Sequence, residues 1–169
     1  MSSPAFTFEK IGRDDLPFLI EVRNECREFL HDNRLFTLSE CERWFHETKP
    51  DFRIIRYGGE RIGYFRLSNH DPKETSIYIG ADLHKSFRGQ GLARRAYEAF
   101  LPVVTDSYGI SVVKLEVLSH NAVAHALYEK LGFIETSRKK GFTVRNGVSV
   151  DSIIMQKRLL ADGSITASR

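Results

Sequence analysis

The sequence predicts an α/β fold of the α+β kind, a mixed β-sheet carrying helices on its faces. Three observations predict it. Strand-type and helix-type patterns follow one another as strand, two helices, three strands, helix, strand, helix, two strands. Gly58-Gly59 and Asn146-Gly147 each separate two strand-type runs with residues that a tight hairpin turn accepts. In mid-chain, Ser86–Gly91 makes a glycine-bearing passage from a strand into a helix. The 169 residues suit one domain, placed at 1–160, with a small, polar, frayed tail at 161–169.

Each element has a local cause. Ala5 to Ile11 alternates as a strand, with Phe6 and Phe8 on one face. Asp14 and Asp15 offer an N-cap, and Pro17 sits where a first helical turn tolerates it. That helix is expected to reach Leu30, with Leu16, Leu19, Ile20, Arg23, Cys26 and Leu30 on its inner stripe. Thr37 and Glu40 have capping-box spacing for a second helix, which places Leu38, Cys41, Trp44, Phe45 and Thr48 near one side. Strands Phe52–Tyr57 and Glu60–Ser68 follow, then a turn at Asn69-His70-Asp71-Pro72 and a strand from Thr75 to about Leu83. A helix runs from the glycine loop to near Ser107, with a kink or relaxed last turn at Pro102. Val112–Leu118 is a strand, Asn121 to Lys130 a short helix closed by Gly132, and two strands flank Asn146-Gly147.

Composition excludes several classes. Hydrophobic residues are 41 % and charged residues 28 %, so the chain is neither a disordered tail nor a membrane bundle. Lys and Arg number 25 against 22 Asp and Glu, a net charge of +3, far from the density of a dedicated nucleic-acid binder. Arg138-Lys139-Lys140 reads as a solvated turn. Two cysteines make no disulfide framework, and Met1-Ser2-Ser3-Pro4 opens no secretory signal, so a cytoplasmic protein without membrane or nucleic-acid partners is expected. The histidines lack ligand spacing with a Cys or carboxylate, so no metal is expected. Neither cysteine has an evident base partner, which argues against a covalent thiol mechanism.

The sharpest segment is Leu83-His84-Lys85-Ser86-Phe87-Arg88-Gly89-Gln90-Gly91-Leu92-Ala93-Arg94-Arg95. Amides at a helix start lack intrahelical partners, and the helix dipole there favours negative charge. Gly89 and Gly91 let backbone approach a ligand, and Lys85, Arg88 and Arg94 add charge, which together suits a pyrophosphate. The alternative is a plain tight turn. The loop lacks the Gly-Lys-Ser/Thr ending of a P-loop and the third glycine of a dinucleotide fingerprint.

Arg88-x-x-Gly91-x-Ala93 after a strand resembles the acyl-coenzyme A signature of the GNAT superfamily of N-acetyltransferases. Asn121-x-x-Ala124-x-x-Leu127-Tyr128-Glu129-Lys130-Leu131-Gly132-Phe133 is similar to the same family's last block, at the expected distance. The resemblance implies a mostly antiparallel sheet of about seven strands, splayed in the middle, and acetyl-coenzyme A as co-substrate. It implies that amides of the loop, Arg88, Gly89, Gln90, Gly91, Leu92, Ala93 and Arg94, hold the pyrophosphate. It also implies that Ala81 to Leu83 runs along the pantetheine arm, that Asn121 contacts the coenzyme, and that Tyr128 is the general acid.

The residues also speak for themselves. Asn121 and Tyr128 lie two helical turns apart on one face, with His125 between them. A phenol at the sulfur can protonate a departing thiolate; the alternative for Tyr128 is a core aromatic. If Val113, Leu115 and Val117 face the core, Lys114, Glu116 and Leu118 face the other side. Glu116 is then the general-base candidate, or else a solvated strand residue paired with Lys114. It stands five before Asn121, as does the base in the similar ribosomal-protein alanine N-acetyltransferases. Asp82 and Glu74 are lesser candidates, and His84, His120 and His125 read as structural or surface groups.

For the acceptor, Arg23 on an apolar stripe needs a partner, either a structural carboxylate or an anionic substrate, with Asn24 beside it. Trp44 and Phe45 belong to the core or stack on a substrate ring. Val22-Arg23-Asn24 followed by Leu38-Ser39-Glu40-Cys41-Glu42-Arg43-Trp44-Phe45 is similar to the N-terminal region of N-acetyltransferases of nucleotide-linked amino sugars, and Asn146-Gly147 with Val150-Asp151-Ser152-Ile153-Ile154-Met155 resembles the branch holding protein N-terminal and spermidine acetyltransferases. A small-molecule amine of the first kind is expected first, a protein N-terminus second and a polyamine third. A non-catalytic acyl-coenzyme A-binding module is the contrasting class. Pairing of the last hairpin's edge gives a possible homodimer.

Overall fold

The computed structural model describes residues 3–159. The tail expected at 161–169, and the last residue of the 1–160 domain, lie outside the described residues. A seven-stranded sheet runs in the order β1-β2-β3-β4-β5-β7-β6. Its strands are β1 (Phe6–Lys10), β2 (Asp51–Tyr57), β3 (Glu60–Asp71), β4 (Ser76–Leu83), β5 (Val112–Leu118), β6 (Ile134–Arg145) and β7 (Val148–Arg158). All neighbours are antiparallel except β4 and β5.

That exception positions the site. β4 and β5 pair only through Ser76–Tyr78 and Val112–Lys114. Beyond Tyr78 and Lys114 the two strands part, so the sheet splays and leaves a gap between Ile79–Leu83 and Leu115–Leu118.

Helices α1 (Leu16–Glu25) and α2 (Leu38–Thr48) cover one face, and α3 (Leu92–Tyr108) and α4 (Ala122–Lys130) the other. On the first face Leu16, Leu19, Val22 and Cys41 pack on Ile54 and Tyr64. On the second, Phe100 stacks on Phe65 at 4.3 Å within a core that includes Ile77, Ile79, Val113 and Leu115. The alternation read along β5 holds: Val113, Leu115 and Val117 are core residues, and Glu116 is exposed. Among the described residues no helix is long and apolar enough to cross a membrane.

Local chemistry explains most boundaries. Thr37 Oγ1 accepts from the Glu40 amide at 3.2 Å, and Glu40 Oε2 accepts from the Thr37 amide at 2.8 Å, closing the expected capping box. Asn146 and Gly147 take φ of 51° and 77°, as a tight hairpin turn requires. α3 continues past Pro102 to Tyr108.

Two expectations are corrected. The turn placed at Asn69–Pro72 comes later: β3 continues to Asp71 through an irregularity after Ser68, and Asp71 Oδ1 then accepts from the amides of Lys73 and Glu74 at 2.9 and 3.2 Å. The first helix, expected to reach Leu30, stops at Glu25 and tightens into a 3-10 turn at Arg27–Phe29. Tertiary guanidinium groups take the carbonyls there. Arg145 of β6 donates to Glu28 O, Leu30 O and His31 O at 3.1, 3.0 and 3.2 Å.

Candidate active site

The β4–α3 passage exposes a run of backbone donors. A 3-10 turn at Lys85–Phe87 ends β4, and Gly91 at φ 73° is the N-cap of α3. Gly89 also has φ 73°, and the space where a Cβ would project at either glycine is open. Among the described residues, none of the amides from Gly89 to Arg94 has a hydrogen-bond partner, whereas Arg95 N already reaches Gly91 O at 3.3 Å. Unpaired N–H groups converging at a helix start make an anion cradle.

The side chains around the cradle are less free than their charges suggest. Arg88 Nε donates to Leu83 O at 3.0 Å, and its tip lies 3.0 Å from Cys26 Sγ and 3.8 Å from Glu25. Arg94 pairs with Glu98 at 3.1 Å, and Lys85 with Glu25 at 3.8 Å. The cradle is therefore built chiefly of backbone.

The cradle opens onto a cleft of about 570 Å³ lined by β4, α3 and α4. Ala81, Leu83, Arg88, Gly89, Gly91, Leu92, Ala93, Arg94, Asn121 and Tyr128, all singled out in the sequence, line it; Gln90 does not, and its side chain donates to Ser86 O at 3.1 Å. Asn121 also caps α4, its Oδ1 accepting from Ala124 N at 3.3 Å. The Tyr128 ring is buried, edge-on to Tyr97 with centroids 5.9 Å apart. Burial pushes the Tyr128 phenol up, while the Tyr97 hydroxyl and the Arg66 charge pull it back in part. His125 is absent from the cleft lining and pairs instead with Glu129 at 3.0 Å. Cys26 borders the cleft, and burial, with Asp82 adding to it, pushes its thiol up to about 11.

On the α1–α2 side of the gap lie two chambers of about 240 Å³ each, which share Leu30, His31 and Arg66. The first is walled by Leu19, Ile20, Phe36, Trp44 and Phe52, with Arg23, Arg66 and Asp82 among them. The second is more polar and contains Glu116, Ser68, Asn69 and Tyr78. Asp82 borders both the first chamber and the cleft.

Arg66 sits between the chambers. Its Nε lies 3.1 Å from Asp82, yet 38 % of its side-chain surface is open because the guanidinium faces the chambers deep in the molecule. Burial works against the Arg66 charge, and Asp82 together with the Tyr64, Tyr128 and Tyr97 phenols outweighs it and holds its pKa above the usual value. Gly80 makes the arrangement possible, since a Cβ there would lie 2.6 Å from the guanidinium.

Arg23 and Asn24 hold the loop that follows α1. Arg23 donates to Arg34 O and to Asp32 O, the latter at 2.6 Å, and lies over the Phe36 ring at 4.2 Å. Asn24 clasps Phe36 from both sides, donating to its carbonyl at 2.9 Å and accepting from its amide at 3.1 Å. Arg23 and Trp44 also line the first chamber; Asn24 does not.

Glu116 lies 3.2 Å from His31, while Lys114 pairs with Glu74 at 3.4 Å. His84 Nδ1 accepts from Ser86 N at 3.1 Å, and His120 Nε2 bonds Glu28 O at 2.9 Å, so both support turns. His31, Arg66, Tyr97 and Arg145 were not anticipated. The arginine set among Ile62, Tyr64, Phe65 and Leu67 of β3 was a usable signal for Arg66. Nothing local marked His31.

A family model described as "Acetyltransferase (GNAT) family" matches residues 16–133. The [Ribosomal protein bS18]-alanine N-acetyltransferase of Escherichia coli (strain K12) is 25 % identical over 150 residues, covering 88 % of this chain and 95 % of that protein. Among solved structures, the spermidine N-acetyltransferase of Vibrio cholerae in complex with CoA and spermine superposes with TM-score 0.82 at 20 % identity, over 89 % of this chain and 94 % of that one. yncA of Salmonella typhimurium with acetyl-CoA has TM-score 0.74 at 20 % identity, over 97 % and 99 %.

Proposed function

The chain belongs to the acetyltransferase (GNAT) family and is an N-acetyltransferase, and on that premise we propose that acetyl-coenzyme A occupies the 570 Å³ cleft while a primary amine reaches its thioester through the β4–β5 gap. One observation carries this reading: the unpaired amides from Gly89 to Arg94 open onto the same cleft as the Tyr128 phenol. The amides and the dipole of α3 hold the diphosphate, and the parted edge of β4 from Ile79 to Leu83 follows the pantetheine arm. The two neighbours solved with CoA or acetyl-CoA support a coenzyme in this role.

Transfer is direct. The amine nitrogen attacks the thioester carbonyl carbon, the carbon–sulfur bond breaks, and Tyr128 gives its proton to the thiolate. The raised phenol stays protonated across the neutral range, ready to donate. The raised Cys26 thiol is a poor nucleophile, which favours direct attack over an acyl-enzyme. Glu116 stands on the acceptor side of the gap, where the amine must lose its proton.

The acceptor we infer is the α-amine of a protein N-terminus. A chamber of about 240 Å³ with apolar walls suits one side chain, and the diphosphate of a nucleotide-linked amino sugar would lie outside it. Arg23 and Arg66 in its wall are matched by Asp32 and Asp82, so the wall carries no excess of negative charge to draw a polycation such as spermidine. The relative that acetylates a ribosomal-protein alanine supports the same order.

The test is thiol release from acetyl-coenzyme A with an Ala-starting peptide, spermidine and an amino sugar. The peptide is expected to turn over fastest. Tyr128→Phe is expected to lower kcat by about 100-fold or more, with coenzyme affinity near normal. An unchanged kcat would remove Tyr128 from the acid role.

A further inference from the structure

We propose that His31, oriented by Glu116, is the group that takes the proton from the acceptor amine. This rests on the reading of the chambers as the acceptor site and reassigns the proton transfer within it.

Placement comes first. Glu116 borders only the second chamber, whereas His31 borders both and stands between the apolar chamber and that carboxylate. The other carboxylates nearby are committed. Asp82 pairs with Arg66 at 3.1 Å, Asp32 with Arg34 at 2.7 Å, and Glu74 with Lys114 at 3.4 Å.

The geometry then selects a tautomer. His31 Nε2 lies 3.2 Å from Glu116 Oε2 and 2.8 Å from Ser152 Oγ. An ionised carboxylate only accepts, so a proton on Nε2 satisfies it, while a lone pair there would face the negative oxygen. The proton on Nε2 leaves the Nδ1 lone pair as the base, and among the described residues Nδ1 has no hydrogen-bond partner. A carboxylate behind an imidazole in this way sets the ring's orientation and stabilises the imidazolium that forms.

The surroundings keep the ring neutral until it is needed. The groups facing it are Glu116 from β5, Ser152 from β7, Arg66 from β3, Arg145 and Phe142 from β6, and the adjoining Asp32. Burial lowers the His31 pKa below its usual value; Arg66 and Arg145 add to this and Glu116 opposes it. The ring packs on Phe142 with centroids 5.0 Å apart, and Arg145 fixes the backbone by bonding His31 O at 3.2 Å. In the step itself the amine nitrogen bonds to the carbonyl carbon and loses its proton to His31 Nδ1. The carbon–sulfur electron pair leaves with sulfur, which takes the Tyr128 proton. The proton on His31 then returns to Tyr128 through solvent.

The test has two readouts. Long-range ¹H–¹⁵N correlation spectra of the unliganded protein are expected to show the Nε2–H tautomer of His31, with a pKa that falls further in Glu116→Gln. An Nδ1–H tautomer, or a His31 pKa indifferent to Glu116→Gln, overturns the proposal. With the peptide that passes the thiol-release assay, His31→Gln is expected to lose about 100-fold or more in kcat/KM and to lose the acidic limb of the pH–rate profile. Glu116→Gln is expected to lose less and to move that limb to lower pH. If His31→Gln keeps the limb and Glu116→Gln abolishes it, Glu116 is itself the base. The spectra read the pair even if no amine of the panel is acetylated, so failure of the acceptor reading is separable from failure of this one.

Discussion

Replacing Arg145 by Met tests whether β6 holds the acceptor side of the site from a distance. The Arg145 side chain is buried at 6 % relative exposure and donates to three carbonyls, Glu28 O, Leu30 O and His31 O, at 3.1, 3.0 and 3.2 Å. A hydrogen bond from a charged donor contributes about 1.5–3 kcal/mol. The three do not sum fully, because the loop is half-exposed and its carbonyls regain water once released. Met keeps much of the volume, so the expected loss is about 3 kcal/mol, or roughly 6–12 °C in Tm at the usual scale for a domain of this size. The functional effect is selective. Arg145 touches nothing that lines the cleft proposed for the coenzyme except the turn near Phe29, so coenzyme titration is expected to stay near normal while acceptor kcat/KM falls about tenfold or more. Thermal unfolding, coenzyme titration and thiol release on the same preparation check the three parts. A Tm within about 2 °C of the parent together with unchanged acceptor kinetics would refute the reasoning.

Two further perturbations probe the frame of the site. At Gly63 a Cβ would lie 2.3 Å from Asp82 O and 3.0 Å from Leu83 Cα, so Gly63→Ala must force β3 and β4 apart where β4 meets the cleft; a loss of about 3 kcal/mol is expected, read as a lowered urea midpoint together with weakened coenzyme binding. Cys26, with its thiol pushed up to about 11, is expected to react with iodoacetamide at pH 8 at least about 100-fold more slowly than free cysteine, and mass spectrometry of the labelled peptide checks it.

Legibility in the sequence followed the range of the interactions. The anion cradle was readable because a helix start, two glycines and the preceding strand all act within a dozen residues, and the backbone itself supplies the ligand groups. The Tyr128 position was readable because helical spacing ties it to Asn121. The apolar periodicity of the first helix continues to Leu30, whereas α1 ends at Glu25 and the chain beyond it is held by Arg145, far along the sequence. Arg23 and Asn24 stand out in the sequence as candidate substrate-binding residues, and the structure gives them the backbone of 32–36 as partners.

By itself the amino-acid order settled the strand and helix sequence, the two hairpins and the donor loop, since these depend on spacing, capping and glycine geometry between near neighbours. Tertiary structure alone decided where β4 and β5 part, and it brought His31 to a serine 121 positions away. That loop has no periodicity of its own. Its shape is imposed by guanidinium groups from α1 and β6 that take successive carbonyls along it, and only the assembled sheet brings those groups together.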